Sequence, residues 1–189
     1  NYLILYNLTY IHNNLYDLTE TETAQVFADF ILKAKTEYGV VQIGVVGETN
    51  SSFDKIEDFN NLYDSNWDKT VDVLNLEFEF WNTNGSSFQY YCDTYLTPNS
   101  LSCNNSGAFT FAYGQMDDID QRADQMGVLS EIYLGSPTNQ QMLDLAEVMG
   151  DLLGRSALLN EQQTETLSMY LAQNKDELIA ALQGKAKAA

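Results

Sequence analysis

The stretch DVLNLEFEFWN, Asp72 to Asn82, decides how the fold is read. Its alternation is that of a β-strand, with Leu74, Leu76, Phe78 and Phe80 on one side and Asn75, Glu77 and Glu79 on the other. A parallel strand buried on both faces carries hydrocarbon on both. Two carboxylates and an amide in a row therefore need a reason.

The neighbouring segments supply a context. Tyr2 to Asn7, YLILYN, is a short apolar strand. TETETAQVFADFILKAKTEYG follows, with Val26, Phe27, Phe30, Ile31 and Ala34 at helical spacing, Thr19 or Thr21 as a cap and Gly39 as the end. VVQIGVVGE gives a second strand, and SSFDKIEDFNNLYDSN a helix with Phe53, Ile56 and Phe59 in one stripe. After DVLNLEFEFW, FAYGQMDDIDQRADQMG reads as helix and VLSEIYLGSP as a fourth strand.

Strand and helix alternate as far as about Pro137, which argues for right-handed βαβ units and a parallel sheet. In an open doubly wound sheet the polar row would lie under helices at a cost. In a βα-barrel, inward residues near the carboxyl ends of strands line the active site instead. The expected fold is α/β, a parallel TIM-type βα-barrel-like unit over residues 1–140, and a helical tail or separate segment over 141–189. A full barrel takes about 250 residues, so the four strands are part of a barrel, or belong to a chain with segments missing between them, or form a smaller α/β unit capped by the helical tail.

In that arrangement Asn75, Glu77 and Glu79, continued by Trp81, point to the mouth, with Glu48 ending the second strand and Glu131 within the fourth. Alternate strand positions lie about 6 to 7 Å apart, near enough for one carboxylate to raise another's proton affinity. That suits a general acid at neutral pH. The same spacing also fits a half-exposed strand with solvated glutamates.

The balance of 9 Lys and Arg against 27 Asp and Glu, a formal charge of -18, repels phosphate backbones and anionic membranes, so no nucleic-acid partner is expected. Solubility, cation recruitment or a salty medium each account for such acidity. No run reaches the roughly 20 apolar residues of a membrane span. The chain opens on NYLILYN without an initiating Met, as a mature product or a fragment would. Cys92 and Cys103 read as a loop disulfide in an oxidising compartment, or as two free thiols; too few soft ligands surround them for zinc. His12 reads as a surface or loop residue, and Asp117 to Asp120, DDID, as a solvated helix face without a calcium loop. No metal and no cofactor is expected.

DVLNLEFE also resembles the D-x-x-D-x-D-x-E signature of family 18 glycoside hydrolases, the chitinases and endo-β-N-acetylglucosaminidases, with Asp72 and Glu79 in register and Asn75 and Glu77 replacing two aspartates. The wider stretch from YLILYN to LSEIYLGSP is similar to family-18-like barrel proteins secreted by Bacteroidetes. The resemblance implies substrate-assisted hydrolysis of N-acetylglucosamine-containing glycans. Glu79 would be the acid, Glu77 the acetamido-orienting group, and Asn75 a hydrogen-bond partner of Glu77. It equally implies a secreted or cell-surface glycan-binding or assembly module with a degenerate site. Trp81 would stack on sugar, with Glu48, Glu131 and Tyr133 as further contacts and Phe88, Tyr90, Tyr91 and Tyr95 nearby. A protein partner would meet the helical tail or the sheet edges.

Overall fold

Four short segments pair as parallel strands in chain order. In the computed structural model, which describes residues 1–83, 87–133, 135, 138 and 141, they form one sheet of order β1-β2-β3-β4. The strands are β1 (Tyr2–Leu5), β2 (Gln42–Gly47), β3 (Val73–Leu76) and β4 (Leu129–Ile132). Ile4 lies opposite Gly44, Gly44 opposite Val73, and Val73 opposite Leu129. The helices are α1 (Leu8–Asn14), α2 (Thr21–Tyr38), α3 (Asp54–Leu62), α4 (Ser87–Tyr91) and α5 (Asn105–Met126). The class is mixed α/β, as the alternation implies. The helices expected in 141–189 lie outside the described residues.

Right-handed crossovers that each step to the next position place the connecting helices on one side of the sheet. The alternation shows which side. Ile43, Val45, Leu74 and Leu76 are fully buried, together with Ile31, Phe53, Ile56, Phe59, Ala112, Met116 and Ile119 from the helical layer. Each buried aliphatic side chain contributes roughly 2 kcal/mol, so this apolar row holds the sheet. The register puts Tyr2, Ile4, Gly44, Val46, Val73, Asn75, Leu129 and Glu131 on the opposite face. Much of that face is open, with Tyr2 and Leu129 exposed and Ile4, Val46 and Glu131 partly so.

Polar staples fix the helical side. Lys35 of α2 donates to the carbonyls of Trp67 (2.9 Å) and Thr70 (3.0 Å) and to Asp72 Oδ1 (2.8 Å). Asp72 Oδ2 accepts the Ile43 N–H at 2.8 Å. Asn60 exchanges two bonds with the Val71 backbone, at 2.9 and 3.0 Å. Arg122 of α5 reaches Asn50, Asp54 and Glu57, at 2.7, 2.8 and 2.7 Å, and so ties the turn after β2 to the layer.

Some local expectations change. Gly39 ends α2 with φ 66°, as expected, but neither Thr19 nor Thr21 caps it: the N-cap is Glu20, and the Thr19 hydroxyl donates to Asp17 instead. His12 lies in helix α1, where its Nδ1 accepts the Leu18 N–H at 3.2 Å. The DDID segment lies on α5 as expected, yet Asp120 is buried and accepts from Ser130 Oγ at 2.9 Å. That turn of helix packs on β4 instead of facing solvent throughout.

On the open face, Tyr2 lies over β2 and its hydroxyl donates to Glu131 on β4 at 2.8 Å. Gly44 makes this course possible, since a Cβ there would stand 2.8 Å from two carbons of the Tyr2 ring. Gly44→Ala is therefore expected to push Tyr2 aside and to destabilise the fold by about 1 kcal/mol, the worth of one hydrogen bond, as measured by urea unfolding. Tyr2→Phe, which removes the same bond and keeps the ring, should fall within a few tenths of that figure. Lys35→Met leaves Asp72 with its carboxylate unpaired and is expected to cost more, about 2 kcal/mol in the same assay.

Candidate functional site

Phe78 fixes the direction in which the acidic residues face. It is fully buried against Tyr91 (ring centroids 4.3 Å), Phe111 of α5 (5.0 Å) and Tyr95 (5.8 Å). Regular strand ends at Leu76, but the Glu77 N–H still donates to the Gly47 carbonyl at 3.0 Å. With Phe78 anchored on the helical side, the carboxylates of Glu77 and Glu79 turn the other way. They line a cleft of about 570 Å³ at the carboxyl ends of β1, β2 and β3.

The cleft is built from Tyr6, Asn7, Leu8 and Thr9 after β1, Val46 to Glu48 and Ser52 around the end of β2, Glu77 and Glu79 after β3, and Tyr90, Tyr91 and Tyr95. None of these is a Lys, Arg or His. Glu48 Oε2 accepts from Tyr95 Oη at 2.7 Å and from Tyr90 Oη at 3.2 Å, and the two phenol oxygens stand 3.1 Å apart. Glu79 Oε2 accepts from Asn82 at 3.1 Å. Among the described residues no side-chain donor reaches Glu77.

The electrostatics follow from this crowding. Burial, then the charges of Glu79 and Glu48, hold the Glu77 carboxyl above the usual range for glutamate. Burial and the Glu48 charge push the Tyr91 phenol up to about 12. Burial, reinforced by the bond to Glu48, also raises Tyr95, so both phenols stay neutral and Tyr95 keeps the proton that it donates to Glu48. Glu77 thus holds a proton more readily than a free glutamate does. Among the described residues no group of three or more His, Cys, Asp and Glu is set to hold a metal ion.

A disulfide joins Cys92 to Cys103, one of the two alternatives the sequence leaves open. It closes the loop that begins with a π-helical turn, Cys92–Leu96, carrying Tyr95. Tyr95 also stacks on Phe111 of α5, with centroids 5.4 Å apart.

The residues singled out from the sequence divide into three places. Glu48, Glu77, Glu79, Tyr90, Tyr91 and Tyr95 meet in the cleft. Asn75 and Glu131 sit lower on the open face, where Asn75 Nδ2 donates to Glu131 Oε2 at 3.0 Å. Trp81 packs edge-on against Phe80 (4.9 Å) and contacts Tyr133 (5.8 Å), and neither Trp81 nor Tyr133 is among the cleft's walls. Phe88 is buried. Tyr6, Asn7, Thr9 and Ser52 were not singled out. The signal for Tyr6 is parity: it continues the Tyr2, Ile4 row past the end of a strand whose neighbours end in carboxylates.

Among known families, a model described as YebG protein matches residues 138–184. The match covers well under half of the chain and touches the tail, not the sheet. No curated protein and no solved structure matches the chain. The resemblance to family 18 glycoside hydrolases is accordingly corrected. The family that matches is not a glycoside hydrolase family. With that resemblance go both readings built on it, the N-acetylglucosamine-glycan hydrolase and the degenerate glycan-binding relative. The geometry agrees with the correction: Asn75 bonds Glu131, not Glu77, and Asp72 is taken up by Lys35 and the Ile43 backbone.

The raised proton affinity of Glu77 has a consequence for stability. A carboxyl whose folded pKa exceeds its unfolded value binds more protons in the native state, so stability falls as pH rises through that interval. Glu77→Gln should therefore raise the urea midpoint at pH 7. The gain should vanish as pH falls about a unit below the ordinary glutamate value of about 4.3, where the carboxyl is protonated in both states. A midpoint difference independent of pH would contradict this.

Proposed function

We propose that the cleft binds a small organic cation that donates hydrogen bonds, such as a protonated amine, and that Glu77 is its principal anionic contact. The single observation carrying this reading is the charge pattern: among the described residues three glutamates line one concavity with no cationic side chain beside them, and no described side-chain donor reaches the carboxylate of one of them, Glu77. Glu48 is already satisfied by two phenols, which makes it a fixed negative wall. The exposed ring of Tyr90 and those of Tyr6 and Tyr95 offer faces on which an ammonium group gains further attraction. A cation arriving beside Glu77 relieves the repulsion that holds its proton, so binding and proton release are coupled.

The surroundings fit this reading. Strands in sequential order with helices on one side form a barrel-like unit, and carboxyl ends of strands are where such units place their sites. The disulfide supports a secreted or cell-surface setting, where such bonds persist. Among the described residues no helix is long and apolar enough to cross a membrane.

Calorimetric titration with butylammonium, ethanolammonium and spermidine, each paired with its neutral alcohol or ether analogue, tests the proposal. The amines should bind and the neutral analogues should not. Affinity for the amines should rise as pH increases through the raised Glu77 range, with protons released below it. Glu77→Gln is expected to weaken binding by about tenfold, equivalent to about 1.4 kcal/mol, and to flatten the pH dependence. Equal affinity for charged and neutral analogues would overturn the reading.

A further inference from the structure

The cleft is one end of a longer surface. On the open face of the sheet, Tyr2 and Tyr6 project from β1 and its extension, Asn75 from β3, and Glu131 and Tyr133 from β4 and its extension. Tyr2 is 40 % exposed, Tyr6 59 % and Tyr133 49 %. Glu131 lies among them with both of its hydrogen bonds, from Tyr2 and Asn75, falling on Oε2. Among the described residues no donor reaches its Oε1. The face therefore repeats the composition of the cleft, carboxylate beside tyrosine.

Among the described residues the lysines and the arginine lie away from this face. The described lysines and arginine are Lys33, Lys35, Lys55, Lys69 and Arg122. Lys33 pairs with Glu37, Lys35 with Asp72, Lys55 with Asp58, Lys69 with Asp29, and Arg122 with Asp54 and Glu57. Lys33 and Lys35 lie on α2, Lys55 on α3 and Arg122 on α5, so these cations are taken up by carboxylates of the helical side. No such pair serves Glu77 or Glu131. The missing positive charge has to come from outside the described residues, and a second copy of a chain with net charge -18 is a poor source.

The spacing of the two carboxylates indicates the shape of the partner. Glu131 is opposite Asn75 in the ladder, and Glu77 is two residues further along the neighbouring strand. Two residues along a strand and one strand across separate them by roughly 8 Å. In an extended polypeptide, side chains two residues apart point the same way at about 6.5 to 7 Å. The flexible stems of two lysines close the remaining gap.

We propose that this face takes an extended basic segment of a partner protein. One cationic side chain enters the cleft at Glu77, and a second, two residues away, meets Glu131 between the Tyr2 and Tyr133 rings. This inference rests on the cleft reading above and names the source of the cation: a polypeptide, not a free amine.

The test compares butylammonium with the blocked peptides Gly-Lys-Gly-Lys-Gly and Gly-Lys-Gly-Gly-Lys-Gly, titrated into the full chain at about 0.15 M salt, where non-specific attraction is screened. The first peptide should bind at least about tenfold more tightly than butylammonium. The second, whose lysines point to opposite sides, should bind no better than a single-lysine peptide. Glu131→Gln should remove the advantage of the first peptide and leave butylammonium unchanged, whereas Glu77→Gln should weaken both. The peptide comparison needs no variant, so it stands even if Glu131→Gln disturbs the fold. If butylammonium binds through Glu77 but the two peptides bind alike, the basic-segment inference fails and the cleft reading survives. If neither amine nor peptide binds, both fail.

Discussion

The handedness of the βαβ crossover is the constraint from which the rest of this molecule follows. A strand that is followed by a right-handed connection to its immediate neighbour, repeated three times, sends its helices to one side of the sheet. Among the described residues no helix crossing between the strands covers the other side. Most of the buried hydrocarbon lies on the helical side, with Ile43, Val45, Leu74 and Leu76, while the other carries polar side chains beside Ile4, Val46, Val73 and Leu129. The row Asn75, Glu77, Glu79 is the chemical expression of that asymmetry.

The same asymmetry explains how carboxylates can be held close together without unfolding the segment that carries them. Glu77 and Glu79 flank Phe78, whose ring is packed among Tyr91, Tyr95 and Phe111. Aromatic burial on one side offsets electrostatic cost on the other, residue by residue. Tyr95 takes part in both, stacking on Phe111 and donating to Glu48. The wall of the cleft is thus continuous with the core, and the disulfide ties the far side of the same loop.

How much of this was legible in the sequence depends on range. Strand alternation and helical stripes are local, and they place the four strands, the buried Phe53, Ile56 and Phe59, and the helix end at Gly39. The meeting of Glu48, Glu77 and Glu79 was also legible, because parallel strands bring their carboxyl ends together. Partner choice was not. Nothing local tells Asn75 to bond Glu131 across to β4 instead of Glu77 beside it, nor Asp72 to spend its charge on Lys35. Thr19 illustrates the same limit: Asp17 accepts from both its N–H and its hydroxyl, and the helix starts two residues later. The family resemblance failed for a related reason. Eight residues of alternating acid and hydrocarbon follow from strand geometry and an open face, so their pattern carries little information about descent.

The described lysines and arginine are all taken up by carboxylates of the helical side. Further acids stand on the same helices, Glu22 on α2 and Asp117, Asp118 and Asp124 on α5, so that side is negative as well. What distinguishes the other end of the sheet is the setting of its charges, because Glu48, Glu77 and Glu79 line a concavity and the walls of a cleft focus the field that such charges produce. A positive body is drawn to the described part of the chain from many directions and gains most at the mouth of the cleft.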